Sequence, residues 1–248
     1  MKTINETLLQ RRSIRRYERE PVTDEQMQFI YEAIRNTPTS YNGQQYSVID
    51  ISDQNTKEQL YVLTNQKQIK TCSRFLIFCA DFHKISMGAE AKGVVMPDFC
   101  HTMDGIMVGT IDAALAMMSA LTAAESMGLG TCCIGYARTA APKEMAEILK
   151  LPQRVMIVCG LAIGVPREMP DLKPKQPVEL VIHHDRYNDR DIHSDILAYD
   201  ADVTQYNTTR SGTKSANDWV DHIISYYREA MNYRMADALK AQGFKADR

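Results

Sequence analysis

The stretch Gly105-Ile106-Met107-Val108-Gly109-Thr110-Ile111-Asp112-Ala113-Ala114-Leu115-Ala116-Met117-Met118-Ser119-Ala120-Leu121-Thr122-Ala123-Ala124 decides the fold. No other long stretch of the 248 residues is as apolar. A bilayer span needs about 20 predominantly apolar residues and tolerates charge poorly. Asp112 interrupts this run, and Asp104 and Glu125 flank it. It therefore reads as a buried core helix from about Met103 to Met127, stopped at Gly128 and Gly130. Gly105, Gly109, Ala113, Ala116, Ala120 and Ala124 recur every three or four positions and share one stripe. Small residues let another element approach closely. Two readings stand: contact with a second helix across a dimer, or alanine-rich packing within one subunit.

The elements around this helix alternate in type. Asn5 to Gln10 has a helical pattern, and Thr23-Asp24-Glu25-Gln26 is a capping box that starts a second helix. That helix continues through Met27, Ile30, Tyr31 and Ile34 and ends before Pro38. Tyr46 to Ile51, Phe75 to Ala80, Thr131 to Ile134 and Val155 to Val165 read as strands. Thr56 to Leu63 and Pro142 to Lys150 read as helices, Leu180 to Ile182 as a short strand, and Asn217 to Gln242 as helix. The order is that of an α+β fold, with strands separated by helices and one long central helix. Residues 1–248 read as a single domain, with 190–248 as a C-terminal helical extension.

Net charge is -2 and the isoelectric point about 6.3, which argues against a general nucleic-acid binder. The N-terminus lacks an apolar signal core. None of the six cysteines forms a C-x-x-C pair. Cys79, Cys132, Cys133 and Cys159 lie in apolar runs and read as reduced core residues of a cytoplasmic protein. Alternation along a strand would turn Cys132 and Cys133 to opposite faces.

Against that neutral background, Arg11-Arg12-Ser13-Ile14-Arg15-Arg16 concentrates four guanidinium groups in six positions. Their planar forks suit phosphate oxygens, and Ser13 adds a hydroxyl. A solvated basic turn paired with Glu18 and Glu20 is the plainer alternative. Lys173-Pro174-Lys175 offers two more cations on a stiff backbone. Thr39-Ser40-Tyr41-Asn42 offers hydroxyl and amide groups, and Ile134-Gly135-Tyr136 offers backbone N–H groups to a flat ligand. Signatures of P-loop, serine-hydrolase and zinc-protease chemistry are absent. Gly128-Leu129-Gly130 precedes a strand rather than a helix, so it is no dinucleotide fingerprint. Many positioning groups without a nucleophile suit an enzyme whose cofactor does the chemistry.

These pieces carry a resemblance. Arg12-Ser13-Ile14-Arg15, residues 38–45, Ala80-Asp81-Phe82, residues 124–130, Ile134-Gly135, residues 160–164 and Lys173-Pro174 occur in the order found in the nitroreductase family of FMN-dependent oxidoreductases. The chain resembles most its NADPH-dependent flavin and nitro reductase subgroup. The resemblance implies a nitroreductase-like α+β fold, with a central, mostly antiparallel sheet flanked by helices, and a homodimer with FMN at the subunit interface and a dimer contact built on the long helix. It implies that Arg11, Arg12, Ser13 and Arg15 surround the FMN phosphate and ribityl chain, helped by Lys175. Thr39, Ser40 and Asn42 would contact the flavin or ribityl, and Gln66 the polar ring edge. Cys133, Ile134 and Gly135 would pass along one face, and Lys173 would stabilise charge on the reduced ring. Arg210 would meet the NADPH phosphate. Implied substrates are nitroaromatics, quinones or free flavin, reduced in a ping-pong cycle without an essential side-chain acid, metal, nucleic acid or membrane. The same fold also suits another FMN-dependent dehydrogenase or dehalogenase, and a non-catalytic anion- or nucleic-acid-binding regulator is the alternative from another class. Arg11, Tyr136, Lys175 and Asn232 depart from what is common in the family.

Overall fold

A computed structural model describes residues 1–245. The sequence-predicted extension to residue 248 thus runs past the described residues at 246–248. Helices α1 (Ile4–Leu9) and α2 (Asp24–Arg35) precede β1 (Tyr46–Ile51). Next come α3 (Gln54–Thr64), α4 (Lys67–Thr71), β2 (Arg74–Asp81), α5 (His83–Ala91) and the long α6 (Met103–Ser126). After these follow β3 (Gly130–Ile134), α7 (Tyr136–Thr139), α8 (Pro142–Ile148) and β4 (Val155–Gly164). The remaining helices are α9 (Val178–Val181), α10 (His193–Thr209), α11 (Trp219–Ala230) and α12 (Met235–Ala241). The chain forms two compact units, one of Met1–Glu168 with the chain from Arg234 on, the other of Met169–Tyr233.

The first unit is built on a four-stranded sheet of order β1-β2-β4-β3, antiparallel at every pairing. Both faces are covered, so its central strands read as continuous apolar runs. Leu76, Phe78 and Ala80 of β2 turn to one face, where α2 and α6 pack. Phe75, Ile77 and Cys79 turn to the other, with Leu60 of α3, Ile69 of α4 and Met145 of α8. Phe244, beyond α12, is 1% exposed in the α6-side core and meets Phe82 edge-on.

Thr3 and Thr23 close capping boxes on α1 and α2. Thr102 caps α6, its Oγ1 accepting the Gly105 N–H at 2.9 Å. The small-residue stripe of α6 faces the chain's own sheet. A Cβ on Gly109 would lie 2.8 Å from Ala80 Cβ and 2.9 Å from the Phe82 ring. Ala113, Ala116, Ala120 and Ala124 are fully buried. The reading of this stripe as a helix contact across a dimer is therefore corrected: it is the seat of α6 on β2. A different row of α6, Met103, Met107, Ile111, Leu115 and Met118, lies exposed by 41–54%. α6 is long and apolar enough to cross a membrane, but it buries Asp112 and Glu125 within the unit and belongs to its core.

Three further expectations are corrected. Leu180–Ile182 is not a strand, since Val178–Val181 is a short helix with its ends bonded i to i+4. The C-terminal helix is broken into α11 and α12. Cys133 is exposed and Cys159 half-buried, whereas Cys79 and Cys132 are buried. Alternation on β3 sends Cys132 inward and Cys133 outward.

Candidate functional site

The arginine segment is a short edge of the sheet rather than a free turn. Ile14 is 5% exposed and anchors the segment in the core. Its N–H donates to Thr131 O at 2.8 Å, and Ser13 bridges Thr131 in parallel register. Thr131 is fully buried and donates its hydroxyl to Glu125 Oε1 at 2.7 Å. On the far side, Tyr17 bridges Pro166 and donates its hydroxyl to Ile14 O at 2.7 Å. The Arg15 and Arg16 N–H groups both donate to Glu168 Oε1, at 2.7 and 3.2 Å. The backbone is thus fixed while guanidinium groups project from it.

Among these, Arg12 Nη1 donates to Gln10 O at 3.2 Å. Arg15 has no carboxylate partner for its guanidinium among the described residues, and Arg11 Nε is buried without a hydrogen-bond partner. The reading of the cluster as a basic turn paired with Glu18 and Glu20 finds no such ion pair among the described residues. Arg11 and Arg15 act on β3 electrostatically. Burial pushes the Cys132 thiol up, and the two guanidiniums oppose the shift. Burial likewise raises the Glu125 carboxyl, against the Thr131 hydrogen bond and Arg11. The Cys133 thiol is pushed up to about 11, because surrounding protein displaces water from the sulfur. It is a thiol at neutral pH, so it is no ready nucleophile.

The loop before β1 is set by α6. Asp112, fully buried, accepts the Ser40 N–H at 2.9 Å with one oxygen and the Gln45 N–H at 3.2 Å with the other. Thr39 Oγ1 accepts the Gln44 N–H at 3.2 Å. Tyr41, Asn42 and Gln44 take left-handed backbone angles, with φ of 57°, 53° and 52°. Each such residue costs about 1–2 kcal/mol relative to ordinary backbone. The Asp112 carboxylate holds the loop in spite of that strain, with Tyr41 86% exposed at its tip.

Gln66 caps α4, and its Oε1 accepts from Gln68 Nε2 at 2.9 Å. Ile134, the last residue of β3, is buried, and Gly135 opens α7. A Cβ on Gly135 would project into space with no atom within 4 Å. That open approach suits a flat ligand.

Lys173, Lys175 and Arg210 belong to the second unit. There Tyr206 and Tyr199 donate their hydroxyls to Asp171 O at 3.2 Å and Pro174 O at 3.4 Å, which lays the 171–175 segment along α10. Ser211 N–H donates to Asp171 Oδ2 at 2.8 Å. Arg210 ends α10, is half-buried, donates from Nε to Thr213 O at 2.6 Å and stands over the Tyr206 ring.

The sequence reading missed Asp112, Thr131, Glu125 and Glu168 as supports of this site. The signal for Asp112 and Glu125 was present: a carboxylate inside an apolar helix must find donors. Thr131 and Glu168 carried none, since the arginine segment they anchor lies over a hundred residues away.

Residues 8–165 match the Nitroreductase family, and residues 173–247 match the Nitroreductase family, C-terminal domain. The FMN reductase (NAD(P)H) of Bacillus subtilis (strain 168) is 36% identical over 250 residues, which covers 100% of both chains. The oxygen-insensitive NADPH nitroreductase of Salmonella typhimurium is 38% identical over 221 residues, covering 88% of each. The solved structure of the hypothetical oxidoreductase YcnD from Bacillus subtilis superposes with a TM-score of 0.95 at 36% identity, covering 100% of both chains.

Proposed function

The chain belongs to the nitroreductase family, and from that premise we propose that it is a homodimeric, FMN-dependent oxidoreductase that uses NADPH to reduce nitroaromatics, quinones or free flavin. Donor and acceptor use one pocket in turn, in a ping-pong cycle. The protein works in the cytoplasm, where its six free thiols stay reduced. One observation carries the ligand assignment. The arginine segment is locked in register to Thr131, yet Arg11 Nε is buried without an acceptor. A buried donor of that kind calls for an anion.

Bound FMN supplies reversible hydride chemistry at its ring. The chain's own residues bind and orient. Arg11, Arg12, Ser13 and Arg15 hold the phosphate and ribityl chain. Thr39, Ser40 and Asn42 present polar groups on the loop that Asp112 clamps. Gln66 reaches the polar ring edge. Cys133, Ile134 and the open backbone of Gly135 line one face. In the second unit, Lys173 and Lys175 act as cations toward FMN, and Arg210 reads the NADPH phosphate. No side-chain acid or base is essential. The purified protein should be yellow, bleach with NADPH and regain its colour with a quinone. A colourless protein that takes up no added FMN overturns this reading.

Arg15→Ala should weaken FMN binding by about 1.5–3 kcal/mol, the worth of a hydrogen bond to a charged group. The Arg15 backbone bond to Glu168 survives the change, so the melting temperature should hold. Fluorimetric titration of the apoprotein measures the loss, and an unchanged affinity removes Arg15 from the site.

Arg210→Ala should raise the Michaelis constant for NADPH by about 1–2 kcal/mol equivalent and leave that for NADH nearly unchanged. NADH lacks the 2′-phosphate. The preference should shrink as salt rises, because charge pairs open to solvent are screened. Equal changes for both nucleotides would show that Arg210 does not read the phosphate.

A further inference from the structure

Beside the arginine segment, a groove of about 540 Å³ is lined by Arg15, Arg16, Lys67 and Arg167, with Tyr17 at its base. Tyr17 and Pro166 form an antiparallel bridge, and Arg167 N–H donates to Arg16 O at 3.0 Å. Arg16 and Arg167 therefore stand opposite each other beside an isolated antiparallel bridge. Like charges in that relation repel. Little compensates them. Among the described residues, Glu168 alone pairs with a cation of the groove, reaching Arg16 Nε at 3.7 Å, and its Oε1 already accepts two backbone N–H groups. Among the described residues, Lys67 and Arg167 have no ion-pair partner, and both are exposed. Four cations line one concave surface; Arg16 and Arg167 oppose each other, and three of the four, Arg15, Lys67 and Arg167, form no ion pair among the described residues, which makes a site that is completed by an anion.

We propose that this groove, which borders the FMN contacts at Arg15 and is carried by Arg16, Lys67 and Arg167, is a second anion subsite that binds the phosphate monoester of a soluble substrate. Two substrates of the reaction read above carry that group: NADPH on its 2′-oxygen and free FMN on its 5′-oxygen. Only the choice between those substrates rests on the oxidoreductase reading. The groove's affinity for a phosphate monoester does not. The subsite would favour phosphorylated over unphosphorylated forms of the same molecule, and its contribution would fall with ionic strength.

The test is the double variant Lys67→Ala/Arg167→Ala, made in the full chain. Calorimetric titration with adenosine 2′-monophosphate should show affinity falling about tenfold, the scale expected for two partly screened charge-assisted contacts. Adenosine should bind both proteins alike. In turnover, the Michaelis constant should rise for FMN but not riboflavin if the acceptor is read, or for NADPH but not NADH if the donor is read. Flavin content of the purified variant should equal that of the parent. Unchanged affinity for adenosine 2′-monophosphate overturns the subsite, as does its failure to bind the parent protein. Loss of resident flavin also overturns it, because Lys67 and Arg167 would then belong to the cofactor site. A colourless, inactive parent defeats the oxidoreductase reading alone, and the calorimetric arm still decides the groove.

Discussion

Asp112→Ala is expected to destabilise the first unit by about 3 kcal/mol and to strip the protein of most of its flavin. The carboxylate is fully buried and accepts two backbone N–H groups, from Ser40 and Gln45. Each hydrogen bond to a charged acceptor is worth about 1.5–3 kcal/mol. Removal also leaves two donors without an acceptor, in a loop with three left-handed residues. That loop holds its shape against strain only while it is clamped. For a chain of this size, about 3 kcal/mol corresponds to roughly 6–12 °C in melting temperature. Asp112→Asn should fall between, because its amide keeps one acceptor and turns a donor toward a second donor. Hydrogen exchange at the Ser40 and Gln45 amides gives the local readout. Parental melting and parental protection in Asp112→Ala would show that the loop is held by other contacts.

On the homodimer proposed above, Ile111→Glu/Leu115→Glu is expected to turn the dimer into a monomer and to release FMN with it. Met103, Met107, Ile111, Leu115 and Met118 form an exposed apolar row on α6. Beside the row runs a groove of about 480 Å³ lined by Ile4, Phe29, Ala33 and Pro38. Contiguous apolar surface of this kind marks an interaction site. Burying a large aliphatic side chain contributes about 1.5–3 kcal/mol, and a twofold interface counts each substitution twice. Unpaired carboxylates at the same place cost several kcal/mol more. Sedimentation velocity should therefore show complete dissociation at micromolar concentration, with native circular dichroism. Ala113→Leu should do the reverse, damaging the fold first, since Ala113 sits under the helix against the sheet. A double variant that sediments as the parent dimer would place the interface elsewhere.

This division of α6 also measures how far the sequence could be read. The helix was legible because its apolar run is long and its interior aspartate rules against lipid. Which face meets what was not. A helix apolar all round has no polar face to orient it, and small residues serve a sheet as well as a second helix. The arginine segment was legible as chemistry, because four guanidiniums in a chain of net charge -2 stand out. Its anchoring was not, since Thr131 and Glu168 reach it only through the fold. The loop's hydroxyl and amide donors were found, while the αL angles at Tyr41 and Gln44 had no glycine to announce them. Leu180–Ile182 misled because three apolar residues fit a strand and a helical turn equally well. β1 and β2 were found as short runs rich in β-branched and aromatic residues, and β4 as a continuous apolar run.

Phe244 carries one more consequence, for the chain while it is being made. It is 1% exposed against Phe82, Cys100 Sγ donates to Gly243 O at 3.5 Å, and Arg154 N–H donates to Gln242 O at 2.8 Å. A core laid down by residues near 80, 100 and 154 is thus sealed by residues 242–244, after the whole second unit has been synthesised. On the ribosome, the first unit waits with an unfinished apolar face while residues 169–241 are made. Polypeptides that stop before residue 242 keep that face open to chaperones and proteases.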